Sequence, residues 1–486
     1  MNINHAKTQE ILDVFEKIAA IPRCSKHEEK IGRWLMDWAA ENEFPARMDD
    51  VGNIVIEVPA SPGYEDVLSV VLQGHQDIVC EKTKTSTHDF SKDPIRFVYD
   101  GDWLTADETT LGADNGIAIA MAMVMATDKD TPHPPLELLF TVDEETGLTG
   151  ANALQPGFIK GKILINIDSE DEGIFTVGCA GGINTSLSLP MVPVDLGQKH
   201  VTLRLEAGNM KGGHSGIDIA LGKANAIIVM GRLLREVAKS VKFLLVDIKG
   251  GSAHNAIPRD CEAIIAVPEE AREQVTGIVR DFEAVVKKEY RSNEPNLFLS
   301  AEKIDPPGAG AYSSATTSRA IQMILAMPHG VAAMSPDIEG LVETSNNFAN
   351  IRIEENIMRV LSSQRSSVMS RLEAHTARIE SVALLAGGHA LSGEGYPPWP
   401  PDMDSALLKR SIKVYQKLFN KEPVVEVIHA GLECGIIGDK YPGMDMISIG
   451  PTLKYPHSPD EKVSVSDIGK IWDFVAALFA DLKSEA

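Results

Sequence analysis

Short apolar runs alternate with longer stretches of helical periodicity along the first third of the chain. The runs have the length and β-branched content of buried strands, and they lie at 53–58, 68–74, 136–142 and 162–167. Apolar positions three and four residues apart predict helices within 8–43, and a further apolar helix is predicted at 115–127. Continuous apolar strands that alternate with helices are typical of a mostly parallel sheet covered on both faces. We therefore predict an α/β fold for this region.

A different order of elements begins near residue 187. Strand-like runs lie at 200–208, 242–248 and 261–267, and helical patterns lie at about 218–240 and 269–291. The order β-α-β-β-α predicts a ferredoxin-like α+β unit that forms a layer of its own. This region is therefore predicted to be a separate domain.

The pattern of the first region returns after the Gly- and Pro-rich stretch 386–402. Buried-strand runs reappear at 424–431 and 444–451. A chain of 486 residues also exceeds the size at which one core usually stops growing. We predict two domains, the second inserted into the first, with the limits 1–186, 187–389 and 390–486 in chain order.

Composition and charge exclude several classes of protein. With 44% hydrophobic and 24% charged residues, the chain is typical of a soluble globular protein. A net charge of -23 repels nucleic acids and anionic membranes, and no apolar run is long enough to cross a bilayer. The five cysteines are widely spaced without a C-x-x-C pair, which disfavours a disulfide framework and a thiolate zinc site. We expect a cytoplasmic protein without nucleic-acid or membrane partners.

Side chains that can bind metal follow several of the predicted strands. They are His75, Asp77, Asp143, Glu144, Glu145 and Asp168. Asp114 directly precedes a predicted helix, and His457 follows the run 444–451. Functional groups of open α/β sheets gather at the carboxyl ends of the strands, so these residues are expected to share one crevice.

So many neighbouring carboxylates need positive charge among them, because like charges raise one another's pKa. Divalent metal supplies that charge. Histidine and carboxylate ligands without cysteine suit zinc, although cobalt and manganese fit similar donors, and two metals need a bridging carboxylate. Each motif alone has an ordinary explanation, such as a structural histidine, an acidic turn or a helix cap. Their recurrence at several strand ends favours a dinuclear metal site.

Longer motifs around these residues resemble a known family. They are "GHQD", "TTLGADNGI", "DEETG", "NIDSEDEG", "KGGHSG", "NAIPR", "HAGLECG" and "PHSPDE". They are similar to the co-catalytic zinc peptidases and, more narrowly, to the cytosolic aminoacyl-histidine (Xaa-His) dipeptidase branch of that family. The resemblance runs over nearly the whole chain. It implies an α/β catalytic domain with two zinc ions, an inserted lid domain and a homodimer.

The resemblance also assigns the metal ligands. It implies that His75, Asp114 and Asp168 hold one zinc ion, and that Asp114, Glu145 and His457 hold the other. Asp114 is then the bridging carboxylate. No residue of the metal set departs from the family pattern.

Further residues receive roles in catalysis and substrate binding. Asp77 is implied to orient His75, Glu144 to be the general base for a water held between the metals, and His214 to stabilise the oxyanion. The residues implied to bind substrate are Asn255, Arg365, His429 and Glu433.

The reaction implied by the resemblance is hydrolysis of unblocked dipeptides, preferentially those with histidine at the carboxyl end, including carnosine-like substrates. Two alternatives stay open at this point. The same dinuclear chemistry serves an N-acyl amino acid deacylase, and the fold also serves a binding module without catalysis.

Overall fold

The computed structural model of this protein describes residues 5–196, 199–305, 310–336 and 338–484. The chain divides into two compact units. The first unit comprises Met1–Cys179, Trp399–Val427 and Leu432–Ala486, and the second comprises Ala180–Pro398 and Ile428–Gly431. The limits predicted for the inserted domain, 187–389, stay a prediction.

The main sheet of the first unit is parallel in its middle and antiparallel at its sides. Within the described ranges its eight strands follow the order Ala46–Met48, Ile54–Val58, Leu136–Thr141, Val70–His75, Ile163–Asn166, Asp445–Ser448, Ile174–Cys179 and Val424–Ile428. The middle strands from Leu136–Thr141 to Asp445–Ser448 are parallel to one another. The first two strands are joined by a short connection, which permits only antiparallel pairing. The predicted α/β class is confirmed, and the parallel strands end at one common edge.

Helices cover this sheet because its parallel strands are mostly apolar and are buried on both faces. All residues of Val70–His75 and Leu136–Thr141 are buried. The helices of the first unit are Ala6–Ala19, Glu29–Glu41, Ala113–Thr127, Glu144–Gly147, Thr149–Ala153, Ala406–Phe419, Glu433–Lys440 and Val465–Lys483. Helix Ala113–Thr127 is nearly all apolar and packs between strand Val70–His75 and helix Ala6–Ala19. It is a core helix, and no helix in the described ranges is long and apolar enough to cross a membrane.

A smaller antiparallel sheet in the first unit holds the loop that carries His457. Its strands, as far as the chain is described, follow the order Leu453–Lys454, Lys462–Ser464, Trp103–Ala106 and Phe97–Asp100. The loop is the connection between the first two of these strands. Both ends of the His457 loop are therefore fixed by paired strands.

The second unit is built on a sheet of nine strands, counted over the described residues. Eight follow the order Phe298–Ile304, His200–Gly208, Cys261–Pro268, Leu244–Gly250, Val342–Glu354, Ile357–Ser366, Gly181–Pro190 and His389–Ser392, and Gly330–Met334 pairs beside Val342–Glu354. Two short pairs join Pro193–Val194 to Ala311–Tyr312 and Gly213–His214 to Ala256–Ile257. The α-helices are Ala226–Ala238, Arg272–Glu289, Ser314–Ala326 and Met369–Leu385, and the 3₁₀ turns are Ile219–Leu221 and Glu269–Ala271.

Four strands of this sheet form the predicted ferredoxin-like unit. Numbered along the chain from His200–Gly208 to Phe298–Ile304, they lie side by side in the order 4-1-3-2, and neighbours are antiparallel. A helix follows the first and the third strand, so the split β-α-β arrangement is confirmed. The first helix begins later than its apolar pattern predicts, at Ala226, because the side chain of Asn225 accepts the backbone N–H groups of residues 227 and 228.

Candidate metal centre

Two polar side chains stand at the carboxyl end of the central parallel strand. His75 is the last residue of Val70–His75, Asp77 lies two residues further on, and both are buried. Parallel pairing sets His75 beside Thr141 of the next strand. Side chains that leave these neighbouring strand ends therefore meet at one edge of the sheet.

The adjacent strands contribute three carboxylates to the same edge. After Thr141 the backbone turns at Asp143, whose φ of +50° lies in the left-handed region, and the short helix Glu144–Gly147 begins. On the other side, Asp168 follows strand Ile163–Asn166. Glu144, Glu145 and Asp168 are each partly buried.

Two loops bring an aspartate and a second histidine to this edge. Asp114 lies in the first turn of helix Ala113–Thr127, and this helix begins directly after Gly112, which has a φ of +71°. His457 lies in the loop between Leu453–Lys454 and Lys462–Ser464 and has a φ of +60°. Residues from five separate parts of the chain thus converge.

The carboxylate of Asp114 lies between the two imidazoles. Its Oδ1 is 2.9 Å from His75 Nε2, and its Oδ2 is 3.2 Å from His457 Nε2. His75 Nε2 also lies 3.4 Å from Asp168 Oδ1, and His457 Nε2 lies 2.9 Å from Glu145 Oε2. The Nε2 atom of each imidazole is therefore close to Asp114 and to one further carboxylate.

These distances define two groups of possible metal ligands that share Asp114. His75, Asp114 and Asp168 form one group, and Asp114, Glu145 and His457 form the other, with ligand atoms within 4.8 Å of one another in each. Glu144 belongs to a third group of this kind, with His75 and Glu145. The structure therefore brings together all five predicted metal ligands and the predicted general base.

The electrostatics of the cluster fit a cation. Burial raises the pKa of Asp168 to about 6, raises that of Glu145, and raises that of Glu144 well above its usual range. Burial also opposes ionisation of Asp114, yet hydrogen bonds from His457 and His75 hold its pKa below its usual range. Among the described residues, Glu145 Oε1 and Asp168 Oδ1 are buried without a hydrogen-bond partner. A divalent metal ion would bind these carboxylate oxygens and imidazole nitrogens, and its charge would favour the ionised carboxylates.

Asp77 fixes the orientation of His75 and of the acidic turn. His75 Nδ1 lies 3.1 Å from the Asp77 carbonyl oxygen and 3.3 Å from its Oδ1, so Nδ1 carries a ring proton towards Asp77, and Nε2 is the ring nitrogen that faces Asp114. The Asp77 carboxylate also accepts the backbone N–H of Glu144 at 3.0 Å and the Ser25 hydroxyl at 2.8 Å. Burial alone would raise the pKa of Asp77, but the hydrogen bonds from His75 and Ser25 lower it to about 2.

Glu433 is buried in the first unit, beside the ends of the parallel strands. Its Oε2 accepts hydrogen bonds from Gln73 Nε2 at 2.6 Å and from the Thr141 hydroxyl at 2.7 Å. Its Oε1 has no hydrogen-bond partner within the described part of the chain. Burial raises the pKa of Glu433 to about 7. The role of Glu433 in binding the amino end of a substrate stays a prediction.

The other predicted site residues lie in the second unit. His214 is in the short strand Gly213–His214, which pairs with the strand directly after Asn255. Arg365 Nη1 donates to the Tyr396 hydroxyl at 2.8 Å, and His429 Nε2 lies 2.8 Å from the Ser345 hydroxyl. Burial, reinforced by the Arg365 cation, lowers the pKa of both His214 and His429 to about 4. These two histidines are therefore neutral at pH 7.

Two buried charged residues of the site escaped sequence reasoning. Arg23 donates to backbone carbonyls next to His75, and Glu461 accepts backbone N–H groups next to Asp114. Arg23 lies in the "IPRCS" break between two helices, and Glu461 ends the "PHSPDE" motif. A single charged residue in a loop carries no pattern that indicates burial, so only its nearness to a motif could have drawn attention to it.

A disulfide joins two segments beside the site. Cys24 and Cys80 are bonded, with a sequence separation of 56. The sequence disfavours a disulfide framework, and the structure corrects that expectation for this one pair. The reason is that segment 22–25 and the segment after Asp77 lie side by side, as shown by the isolated bridge between Cys24 and Ile78. Spacing along the chain does not reveal this proximity.

Reduction of the Cys24–Cys80 disulfide is expected to lower the unfolding temperature of the first unit by several degrees. A cross-link that closes a loop of this length contributes about 4 kcal/mol in the chain-entropy account. Differential scanning calorimetry with and without a phosphine reductant measures the effect. The double variant Cys24→Ser/Cys80→Ser serves as control, since its unfolding temperature should not respond to reductant. Equal unfolding temperatures of the oxidised and reduced protein would contradict the prediction.

Comparison with known proteins relates this geometry to peptidases. Residues 205–294 match the family model of a peptidase dimerisation domain. A cytosol non-specific dipeptidase from Escherichia coli is 38% identical over 483 residues, which is 99% of each chain. The crystal structure of an aminoacylhistidine dipeptidase from Vibrio alginolyticus has 40% identity and a TM-score of 0.89, and the match covers 99% of this chain and 98% of that one. An M20-family metallo-carboxypeptidase from Sulfolobus solfataricus, 14% identical with a TM-score of 0.53 over 98% and 99% of the two chains, shares the fold.

Proposed function

This chain belongs to the M20 peptidase family, and from that premise we propose that it is a metal-dependent dipeptidase that hydrolyses unblocked dipeptides, preferentially those ending in histidine. One observation carries the proposal: two groups of imidazole and carboxylate donors share Asp114 at the carboxyl ends of parallel strands. The relatives differ in the specificity that their names state, non-specific in one and aminoacylhistidine in the other. The histidine preference is therefore the finer part of the proposal.

Two metal ions would be held by the groups that share Asp114. His75 and Asp168 would complete one site, and Glu145 and His457 the other. Zinc fits these donors, and cobalt or manganese would fit the same set. When bound, such ions polarise a substrate carbonyl and lower the pKa of water from ~15.7 towards ~7.

Glu144 would act as the general base. Its carboxylate lies in the same group of donor atoms as His75 and Glu145, so it is within reach of a water molecule at the site. Glu144 would take the proton of the attacking water and transfer it to the leaving amine nitrogen. Asp77 supports this arrangement, because its carboxylate accepts the backbone N–H of Glu144 and also contacts the His75 ring at Nδ1.

His214 would stabilise the tetrahedral oxyanion. The backbone N–H groups of Gly216 and Ile217 donate to His214 Nδ1 at 3.3 Å and 3.2 Å. The neutral ring therefore carries its proton on Nε2, where it can be donated to an oxyanion.

Four residues would bind the ends of the dipeptide. The planar guanidinium of Arg365 can donate two parallel hydrogen bonds to the free carboxylate of the dipeptide. Its buried Nε has no hydrogen-bond partner among the described residues, so it can take part in such a pair. Glu433 would accept the amino end through its unpartnered Oε1. We assign Asn255 and His429 to the same substrate-binding set.

The activity is tested by hydrolysis of a matched panel of substrates. The zinc-reconstituted protein is offered Xaa-His dipeptides, other dipeptides, a tripeptide and N-acetyl amino acids, each with and without a chelator. We expect chelator-sensitive cleavage that is fastest on Xaa-His dipeptides. Fastest cleavage of the acetylated substrates would support a deacylase instead. Two bound metal ions without any cleavage would support a binding module.

We further propose that the protein works as a cytoplasmic homodimer. The dimerisation-domain model matches residues 205–294, and the E. coli relative is named a cytosolic enzyme. The net charge of -23 also opposes binding to anionic membranes and nucleic acids. Light scattering coupled to gel filtration measures the mass in solution, which should be twice the chain mass of 52.6 kDa.

A further inference from the structure

Arg23 ties together the two backbone segments that carry His75 and Asp114. Its side chain is 1% exposed. Nη1 donates to the carbonyl oxygens of Gln76 at 2.9 Å and Asp77 at 3.3 Å, and Nη2 donates to that of Gly112 at 2.6 Å. Burying a guanidinium is costly unless its N–H groups donate hydrogen bonds. The Arg23 side chain therefore depends on the positions of these three carbonyl oxygens.

Glu461 holds the segment 111–114, which we call the Asp114 loop, from its other side. The side chain is 2% exposed. Its Oε2 accepts the N–H groups of Leu111 at 2.8 Å and Gly112 at 3.0 Å. Its Oε1 accepts those of Ala113 at 2.8 Å and Asp114 at 3.4 Å. One carboxylate therefore fixes four successive N–H groups.

Gly112 is the point at which both side chains act on the same residue. Its N–H donates to Glu461, and its carbonyl oxygen accepts from Arg23. With a φ of +71°, it adopts a conformation that favours glycine, and a Cβ there would lie 2.9 Å from Arg23 Nη2. The residue that allows this turn also brings the guanidinium close to the backbone.

We infer that Arg23 and Glu461 are a pair of positioning residues that clamp the Asp114 loop, so that the Asp114 carboxylate is held between His75 and His457. The inference rests on the proposed metal centre, because Asp114 is there the ligand common to both ions. Neither residue touches the candidate ligand atoms, and each acts through the backbone. Loosening the clamp displaces the shared ligand and therefore weakens both metal sites together.

The first test replaces Glu461 with Gln and measures zinc affinity. The amide nitrogen of glutamine cannot accept a hydrogen bond, so one of the two accepting atoms at position 461 is lost while the side-chain volume is kept. We expect the affinity for zinc to fall by about 10- to 100-fold at both sites, as for other residues that orient metal ligands. Competition with a chromophoric chelator gives both dissociation constants. Excess zinc should restore much of kcat without a change in KM.

Glu137→Gln is the matched control. Glu137 is also a buried carboxylate of the first unit, 4% exposed, and it accepts the N–H groups of Lys160 at 2.8 Å and Gly161 at 2.7 Å. It lies at the opposite end of strand Leu136–Thr141 from the metal ligands. Its replacement should destabilise the fold to a similar degree and leave zinc affinity unchanged. An equal loss of zinc affinity in both variants would overturn the inference.

Arg23→Lys separates geometry from charge. Lysine keeps the positive charge, but a single ammonium group cannot reproduce the fork that reaches three carbonyl oxygens. We expect weaker zinc binding at both sites in this variant. Wild-type affinity in both Arg23→Lys and Glu461→Gln would show that no clamp exists. Should the wild-type protein bind two zinc ions and cleave no dipeptide, the proposed function fails, whereas the zinc affinities of the variants still decide the clamp.

Discussion

Glu144→Gln is expected to lower kcat by about 10²- to 10⁴-fold while the protein keeps both metal ions. The amide cannot accept a proton, and general-base catalysis contributes roughly that factor. Glu144 belongs to neither of the two ligand groups that share Asp114. The contacts of Asp114 with His75 and of Glu145 with His457 should therefore be kept in the variant. Steady-state kinetics on an Xaa-His dipeptide give kcat, and elemental analysis of the dialysed variant gives the metal content.

Glu41→Gln is a suitable control for this experiment. Glu41 is an exposed residue at the end of helix Glu29–Glu41, so the same chemical change there should leave kcat within a factor of two. A Glu144→Gln protein with more than a tenth of wild-type kcat would remove Glu144 from the role of general base. Loss of metal in that variant would instead identify Glu144 as a ligand.

Asp114→Ala is expected to abolish stable binding of both metal ions and with it all measurable hydrolysis. Asp114 offers one oxygen to each candidate site, at 2.9 Å from His75 and 3.2 Å from His457. Its removal therefore leaves each site with one imidazole and one carboxylate, fewer than the three protein ligands of a catalytic zinc site. Metal per chain after gel filtration should fall from two to below one.

The control for Asp114→Ala is Asp107→Ala. Asp107 lies in the same unit and is exposed, and its carboxylate forms a long ion pair of 3.9 Å with Arg96. Its replacement should leave metal content at two per chain. If the Asp114 variant kept one tightly bound ion, the carboxylate would be a ligand of a single metal and the bridging role would be wrong.

The sequence predicts the strands and the residues that follow them because both depend on local patterns. An apolar run such as 68–74 is long enough for one buried strand, and it matches strand Val70–His75 within two residues. The parallel arrangement then brings the residues after each run to one edge. For this reason His75, Glu145 and Asp168 could be assembled into a single site without knowledge of the structure.

Other parts of the site depend on contacts that no local pattern encodes. Glu461 meets the Asp114 loop across a sequence separation of 347 to 350, and Arg23 reaches carbonyls 53 to 89 residues away. The disulfide between Cys24 and Cys80 likewise follows from the packing of two loops. Such contacts depend on how distant segments of the backbone pack together in space. The spacing of residues along the sequence therefore does not predict them.

The loop that carries His457 and Glu461 is also made later than the other parts of the candidate metal centre when the chain is synthesised. The strand that ends at His75 leaves the ribosome first, and His457 follows 382 residues later, by simple difference of the two positions. At a translation rate of about 5–20 residues per second this interval is roughly 20 to 80 s. A nascent or prematurely released chain can form the first strands and helices, yet it lacks one imidazole and the carboxylate that holds the Asp114 loop. The candidate metal centre is therefore complete only after residues 457–461 have been made.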